Sequence, residues 1–408
     1  MKFLWSYFKK YLLESILAPL FKCLEACFDL AVPVIVAKII DTGIATANKP
    51  YIISRFLLLL AMAVLGLVSS CVAQYFAAKA AIGTAAGLRQ DLLCKIQTLS
   101  CGEVDAVGTS TLITRMTSDV NQVQNGLNMF LRLFMRSPFI VFGAMIMAFT
   151  INARLALIFV IAIAVLFFIV FGVMWLSNPL YKKVQQQLDG VTEATREDLN
   201  GVRVIRAFSR EGEQKKRFAA QNERLLHAQL FVGRVAAIMN PLTYLIVNAV
   251  IIAVLWLGAG KIQNGVLLSG SIIALINYIL QILVDLVKLA NLITQLGRSI
   301  ASMNRVGQVL SLQSGMQFGG GSQPQAGAPA VQFNNVSFCY NGSAEPALQN
   351  ISFTAQKGQT IGVIGGTGSG KTTLANLILR FYDATGGTVL VNGVPVQSLS
   401  KQQLEQAV

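Results

Sequence analysis

The chain of 408 residues is 54% hydrophobic and 13% charged, against roughly a quarter charged in ordinary soluble proteins, and its mean hydropathy is +0.59. These proportions exclude a wholly soluble globular protein. Long uncharged runs come early and a mixed, polar segment late, the layout of a membrane domain with a soluble annex. The net charge of +14 comes from Lys and Arg gathered in a few segments between apolar runs, which points to membrane orientation and not to nucleic acid. The six cysteines, Cys23, Cys27, Cys71, Cys94, Cys101 and Cys339, form no CxxC pair and have no His nearby, so they read as isolated thiols.

Residues 1–12 place Leu4, Tyr7, Phe8, Tyr11 and Leu12 at helical spacing with Lys2, Lys9 and Lys10 off that stripe, which predicts an interfacial helix. A signal peptide is the rival reading, but Glu14 and Lys22 interrupt the apolar core it needs. A bilayer core takes roughly 20 apolar residues in helix. Residues 56–78, 155–181 and 235–260 meet that length between flanking Lys or Arg, 137–153 meets it if Arg132 and Arg136 snorkel, and 262–284 follows a short turn. Residues 16–37 are interrupted by Lys22, Glu25 and Asp29, yet the spacing of the others requires a span there, giving six spans.

The segments between spans alternate in size. Residues 41–50, 152–154 and the turn near Lys261 are short, whereas 80–129 and 182–231 are long and carry most of the Lys and Arg. By the positive-inside rule the long segments, and with them both termini, are cytoplasmic. Proline is absent from 51–137 and 180–240, so each span can continue as helix beyond the membrane. Arms of about 25 residues would reach some 35 Å and meet at a bend.

Residues 312–329 are uncharged and rich in Gly, Ser, Gln, Pro and Ala, which predicts a flexible linker. Strands are expected at 330–338, 348–355 and, as a buried run, 360–364, with a helix over 373–381. Between the last strand and the helix stand Gly365, Gly366, Thr367, Gly368, Ser369, Gly370, Lys371 and Thr372, matching G-x-x-x-x-G-K-[ST] in full. Glycines let backbone N–H groups turn inward around a triphosphate, and the following helix points its positive end at the same anion. Lys371 would reach the β and γ phosphates of ATP, Thr372 would offer a hydroxyl to Mg²⁺, and Thr373 continues the nucleotide-binding set. Tyr340, ending the first strand, could stack on a nucleobase or pack on its own domain; the residue alone leaves both open.

Six spans, long helical arms, a linker and a strand-loop-helix phosphate site in one polypeptide resemble the ABC exporter family, in its half-transporter form with the membrane domain first. Two further stretches carry the resemblance: Arg115-Met116-Thr117-Ser118-Asp119-Val120 and Asn200-Gly201-Val202-Arg203-Val204-Ile205-Arg206-Ala207-Phe208 are similar to that family's first and second arms. The resemblance implies a membrane all-α six-helix domain with long cytoplasmic extensions over 1–311, a linker over 312–329 and a partial α/β P-loop nucleotide-binding domain over 330–408. It also implies coupling helices near residues 103–110 and 206–213, and it puts Tyr340 where the family carries its adenine-stacking aromatic. ATP and Mg²⁺ follow as cofactors. The implied partners are a second half-transporter, identical or not, the lipid bilayer and a hydrophobic drug, lipid or peptide substrate, with the cell membrane as location.

The family's Gln loop, signature, Mg²⁺-binding acidic strand and switch His are not found after Lys371, so these residues are expected to bind ATP phosphates without hydrolysing ATP, as a fragment of a longer chain. The alternative is a non-catalytic nucleotide-binding subunit that regulates or assembles with a complete partner. Leu268-Ser269-Gly270-Ser271 and Gln281-Ile282-Leu283-Val284-Asp285 imitate two of the missing motifs, but both lie in or beside a span ahead of the phosphate loop. His227, the only histidine, lies in the second arm and is read as solvated. Within the membrane, Lys22, Glu25 and Asp29 share one helix face, and Asp285 stands near Lys288. Glu25, Asp29 and Asp285 are therefore candidates for a translocation path, with internal pairing to Lys22 and Lys288 as the competing reading.

Overall fold

Long apolar runs give long helices here, and two of these, Leu12–Lys38 and Ala153–Asn200, continue through Pro19, Pro33 and Pro179. The computed structural model describes residues 7–313, 315–316, 318–322, 325, 327–343 and 345–408. In chain order the helices are α1 (Leu12–Lys38), α2 (Lys49–Thr98), α3 (Cys101–Val107), α4 (Thr109–Thr114), α5 (Val120–Leu133), α6 (Arg136–Ile151), α7 (Ala153–Asn200), α8 (Val202–Ala207), α9 (Glu211–Ala237), α10 (Met239–Gln263) and α11 (Ser269–Ser311). Strands β1 (Val331–Phe338) and β2 (Leu348–Ala355) follow, then α12 (Lys371–Ile378), β3 (Gly386–Val391), β4 (Val394–Pro395) and α13 (Lys401–Ala407). Ile39–Ile44 and Arg115–Asp119 are π-helical turns.

Among the described residues, five helical stretches are long and apolar enough to cross a membrane: Lys49–Thr98, Thr109–Ile151, Ala153–Asn200, Glu211–Gln263 and Ser269–Ser311. The first expected span is also helical, as α1, but its charges keep it out of that group. The turn expected near Lys261 falls later. Helix α10 continues to Gln263, and Gly265, at a φ of 68°, makes the reversal before α11 starts at Ser269.

Packing groups the chain into two units. One comprises Phe8–Ile82 and Asn125–Arg298. Its core is built from Leu155, Phe159 and Leu166 of α7 with Leu275, Tyr278, Ile279 and Ile282 of α11, all buried. The Tyr278 hydroxyl donates to the Leu30 carbonyl of α1 at 2.6 Å, so a phenol inside the apolar core is satisfied. Asn152 caps α7 by accepting the Leu155 N–H at 3.2 Å, which explains why the chain turns between two adjacent apolar runs. The outer face is apolar as well, with Trp175 and Trp256 each 81% exposed, as lipid-facing side chains should be. The second arm bends first at Gly201, ahead of the expected 206–213, and again within that segment at Ser209, whose φ is 52°.

The other unit contains Tyr7 with Gly83–Gln124 and Ser299–Val408. Of the expected interfacial helix, residues 1–6 lie outside the described residues; Tyr7 is buried against Gly87 and gives its hydroxyl to Asp91. The first arm and the end of α11 are joined at Asp119, which accepts from Arg305 Nε at 3.1 Å and Arg115 Nη1 at 2.7 Å. Ser299 adds a bond of 2.8 Å to the Gln122 carbonyl.

The annex forms a four-stranded antiparallel sheet in the order β2-β1-β3-β4. Phe333 of β1 stands opposite Phe353 of β2 and Val389 of β3, and its ring stacks on Phe353 at 4.7 Å. Beneath lie Val336, Phe338, Leu348, Val391 and Leu377 of α12. The strand expected at 360–364 is not formed. That run is irregular, and Ile361, Val363 and Ile364 are exposed, Ile364 at 98%, because no strand among the described residues stands beside it to accept its ladder bonds.

Candidate nucleotide site and intramembrane charge cluster

The phosphate loop closes directly onto α12. Gly370, at a φ of 86°, is the residue before the helix, and a Cβ there would come within 2.7 Å of the Ala347 carbonyl and of Leu348. Gly368 also has positive φ, at 84°, and a Cβ on Gly365 would meet Ser369 Oγ at 2.5 Å. The loop thus curls as only glycine allows, and Gly366, with nothing within 4 Å of its missing Cβ, leaves bare backbone facing open space. Lys371 turns back into the curl. Its Nζ donates to the carbonyls of Gly365 at 2.8 Å and Gly366 at 2.6 Å. Thr372 is exposed beside it, whereas Thr373 is buried.

Tyr340 reaches this helix from the end of β1. Its hydroxyl and Thr373 Oγ1 are 3.0 Å apart, a hydrogen bond across 33 residues. The ring is held on edge by Phe338 at 4.8 Å and by Tyr382 at 5.3 Å. Tyr382 in turn donates to Asp105 of α3 at 2.5 Å. That bond, helped by burial, raises the Tyr382 hydroxyl above the ordinary phenol range. A cavity of about 320 Å³ lies here, lined by Gly102, Asp105, Phe338, Tyr340, Asn341 and Tyr382. Helix α3 itself is fixed by a capping box in which Ser100 accepts the Glu103 N–H at 3.3 Å and Glu103 accepts the Ser100 N–H at 2.9 Å. Glu103 also accepts the Gly315 N–H; burial alone would raise its pKa, but these backbone donors bring it below the usual carboxylate value.

In the membrane unit, Glu25, Asp29 and Asp285 converge on one cation. Arg136, at the start of α6, lies 2.9 Å from Asp29, 3.2 Å from Asp285 and 3.9 Å from Glu25. Lys22 pairs with Glu25 and donates to Ser70 Oγ at 3.0 Å, and Lys288 lies 3.4 Å from Asp285. Three carboxylates and three cations thus balance in a largely buried cluster drawn from α1, α6 and α11.

Comparison with known proteins decides the family. Residues 15–286 match the model described as "ABC transporter transmembrane region", and residues 348–408 match the model described as "ABC transporter". The chain belongs to the ABC transporter family. It is 32% identical over 93% of its length to the "Uncharacterized ABC transporter ATP-binding protein Rv1273c" of Mycobacterium tuberculosis, covering 66% of that protein. It is 28% identical to a "Fatty acid ABC transporter ATP-binding/permease protein" of the same organism, over 79% of this chain and 51% of the relative. A third relative, the "Probable multidrug resistance ABC transporter ATP-binding/permease protein YheH" of Bacillus subtilis, is 26% identical over 78% of this chain and 47% of its own length. The chain therefore spans from about half to just under two thirds of these curated relatives. It is a multi-pass membrane protein whose membrane region and ATP-binding region share one polypeptide.

Within this ABC transporter chain, the sequence-derived site residues form two groups. Tyr340 and 365–373 come together around α12, and Glu25, Asp29 and Asp285 come together around Arg136. The two imitations of later motifs have other uses. The Gly270 N–H donates to Asp41 at 2.7 Å where α11 crowds the Ala37 backbone, and Asp285 belongs to the charge cluster. Two functional residues, Arg136 and Tyr382, are not marked by the sequence. Arg136 registered only as a snorkelling residue, although carboxylates within spans demand a cation partner. Tyr382 carries no motif of its own, and its partner Asp105 lies within 103–110, the segment the resemblance docks on the nucleotide domain.

Proposed function

We propose that this chain is one half of a dimeric, ATP-driven exporter. Nucleotide binding at 365–373 closes the dimer, and the arms carry that closure to the spans, releasing a hydrophobic drug, lipid or peptide outward. The observation that carries this reading is the loop itself, with Lys371 folded onto the carbonyls of Gly365 and Gly366 at the head of α12 and Tyr340 fastened to the same helix through Thr373. A triphosphate in the curl would take the lysine's hydrogen bonds and the N–H groups at the head of α12, and the Tyr340 ring would serve the adenine. The exposed Thr372 hydroxyl fits Mg²⁺, which is usually held by one or two protein oxygens, phosphate and water, and no group of three His, Cys, Asp or Glu side chains among the described residues offers a protein cage instead.

The fatty acid and multidrug relatives support an apolar substrate. The long basic segments support an orientation with arms and termini in the cytoplasm and the spans in the cell membrane. The second bend, with Phe208 74% exposed, is the surface we assign to the other half of the dimer, of identical or different sequence. Residues 330–408 supply the phosphate loop, and the acidic strand that hydrolysis needs is not among them. Glu25, Asp29 and Asp285 line a path that a cationic group enters by displacing Arg136.

Vesicles containing the full-length protein test the reading. ATP-dependent movement of a labelled fatty acid or hydrophobic dye that is lost in Lys371→Ala is the expected result. Movement that survives Lys371→Ala would contradict ATP drive and point to an ion-coupled carrier.

A further inference from the structure

A single chain of side-chain contacts runs from the bend of the first arm to the phosphate loop. Asp105 on α3 accepts from the Tyr382 hydroxyl at 2.5 Å, the Tyr382 ring meets the Tyr340 ring edge to face at 5.3 Å and 82°, and the Tyr340 hydroxyl shares a hydrogen bond with Thr373 at 3.0 Å. All four residues belong to one packed unit. Tyr382 follows α12 by four residues and Phe338 backs both tyrosines, so the Tyr340 ring has two edge contacts and one hydroxyl anchor. The Tyr382 contact is the one that the arm controls.

We propose that Tyr382 is a positioning residue for the nucleobase: by donating to Asp105 it holds Tyr340 in register with the phosphate loop, so the first arm's bend sets the affinity for the base of ATP and leaves the affinity for its phosphates alone. The inference rests on the nucleotide-site reading above and adds to it the regulation of the base by the arm. A hydroxyl-to-carboxylate bond is directional and strong, and its loss lets the Tyr382 ring rotate away from Tyr340. The hydrogen bonds of Lys371 go to Gly365, Gly366 and Ser369, not to Asp105 or Tyr382. The tether meets α12 at the Tyr340–Thr373 bond, which changes at Asp105 or Tyr382 leave in place, so the phosphate loop keeps its shape.

The experiment is titration calorimetry on the full-length protein in lipid nanodiscs with Mg²⁺, using ATP and inorganic tripolyphosphate as the two probes. Asp105→Ala and Tyr382→Phe should each weaken ATP by about fivefold and leave tripolyphosphate unchanged, and the double variant should be no weaker than either single one. Asp105→Asn, whose amide oxygen still accepts the bond, should restore most of the ATP affinity. An unchanged ATP affinity in Asp105→Ala, alongside a clear loss in Tyr340→Ala, overturns the tether and spares the base platform. Equal losses for ATP and tripolyphosphate also overturn it, since the phosphate loop would then have been disturbed. Tyr340→Ala binding ATP as tightly as the unaltered protein, or an unaltered protein that binds neither probe, overturns the nucleotide-site reading and the tether with it.

Discussion

Arg136 and Asp285, 149 residues apart, stand 3.2 Å from each other inside the membrane unit, and the same guanidinium lies 2.9 Å from Asp29. Removing one partner of a buried charge pair costs more than removing both, because the remaining charge keeps its desolvation penalty without its compensation. Arg136→Met should lower stability by about 3 kcal/mol, and adding Asp285→Asn and Asp29→Asn should return most of it. Thermal unfolding in detergent measures both; a midpoint unmoved by Arg136→Met would show that the pairing does not hold the spans.

The glycines of the phosphate loop divide by what surrounds them. Gly370→Ala forces a Cβ to within 2.7 Å of the Ala347 carbonyl at a φ of 86°, and it should cost about 2 kcal/mol of stability as well as nucleotide binding. Gly366→Ala meets nothing within 4 Å, so its unfolding midpoint should stay in place while ATP binding weakens. Paired melting and binding curves for the two variants check this contrast. Gly366→Ala binding ATP normally would mean that the phosphates do not approach that backbone.

Asp119 couples the first arm to the end of α11, and its side chain is 5% exposed. Burial alone would raise its pKa, but hydrogen bonds from Arg305, Arg115 and Ser302 outweigh this and hold it at about 2. Because the folded value lies below the unfolded one, the stabilisation is complete above pH 4 and is lost as pH falls toward 2. Asp119→Asn should therefore cost about 2 kcal/mol at neutral pH. The gap between the two proteins should narrow steadily below pH 4 in acid denaturation curves. A gap that is constant with pH would assign the effect to packing.

Local chemistry made much of this legible. The long helices follow from apolar runs of span length, which α1 and α7 keep helical through Pro19, Pro33 and Pro179, β1 and β2 from alternating apolar segments, and α12 from the loop that precedes it. The resemblance places the bends near 103–110 and 206–213; the short helices fall a few residues earlier, at 101–107 and 202–207, after breaks at Ser100 and Gly201. Features that need distant partners were not legible. Residues 360–364 have the composition of a buried strand, yet a strand exists only where a neighbour accepts its hydrogen bonds, and none of the described residues does. The Arg136 cluster joins residues more than 100 positions apart, and the Asp105–Tyr382 bond joins residues 277 apart. Sequence spacing carries no record of either. The competing readings of the membrane carboxylates were both visible in advance; the structure adds that Arg136 is the cation they share.

Residues 365–373 are the proposed seat of the ATP phosphates. Equilibrium binding of ATP with Mg²⁺ to the purified full-length protein, with Lys371→Ala alongside, tests it most directly. Saturable binding at one site per chain is expected, weakened roughly thirtyfold or more in Lys371→Ala by loss of charge-assisted hydrogen bonds to phosphate. Equal affinity in the two proteins, or no saturable binding in the unaltered one, would contradict it.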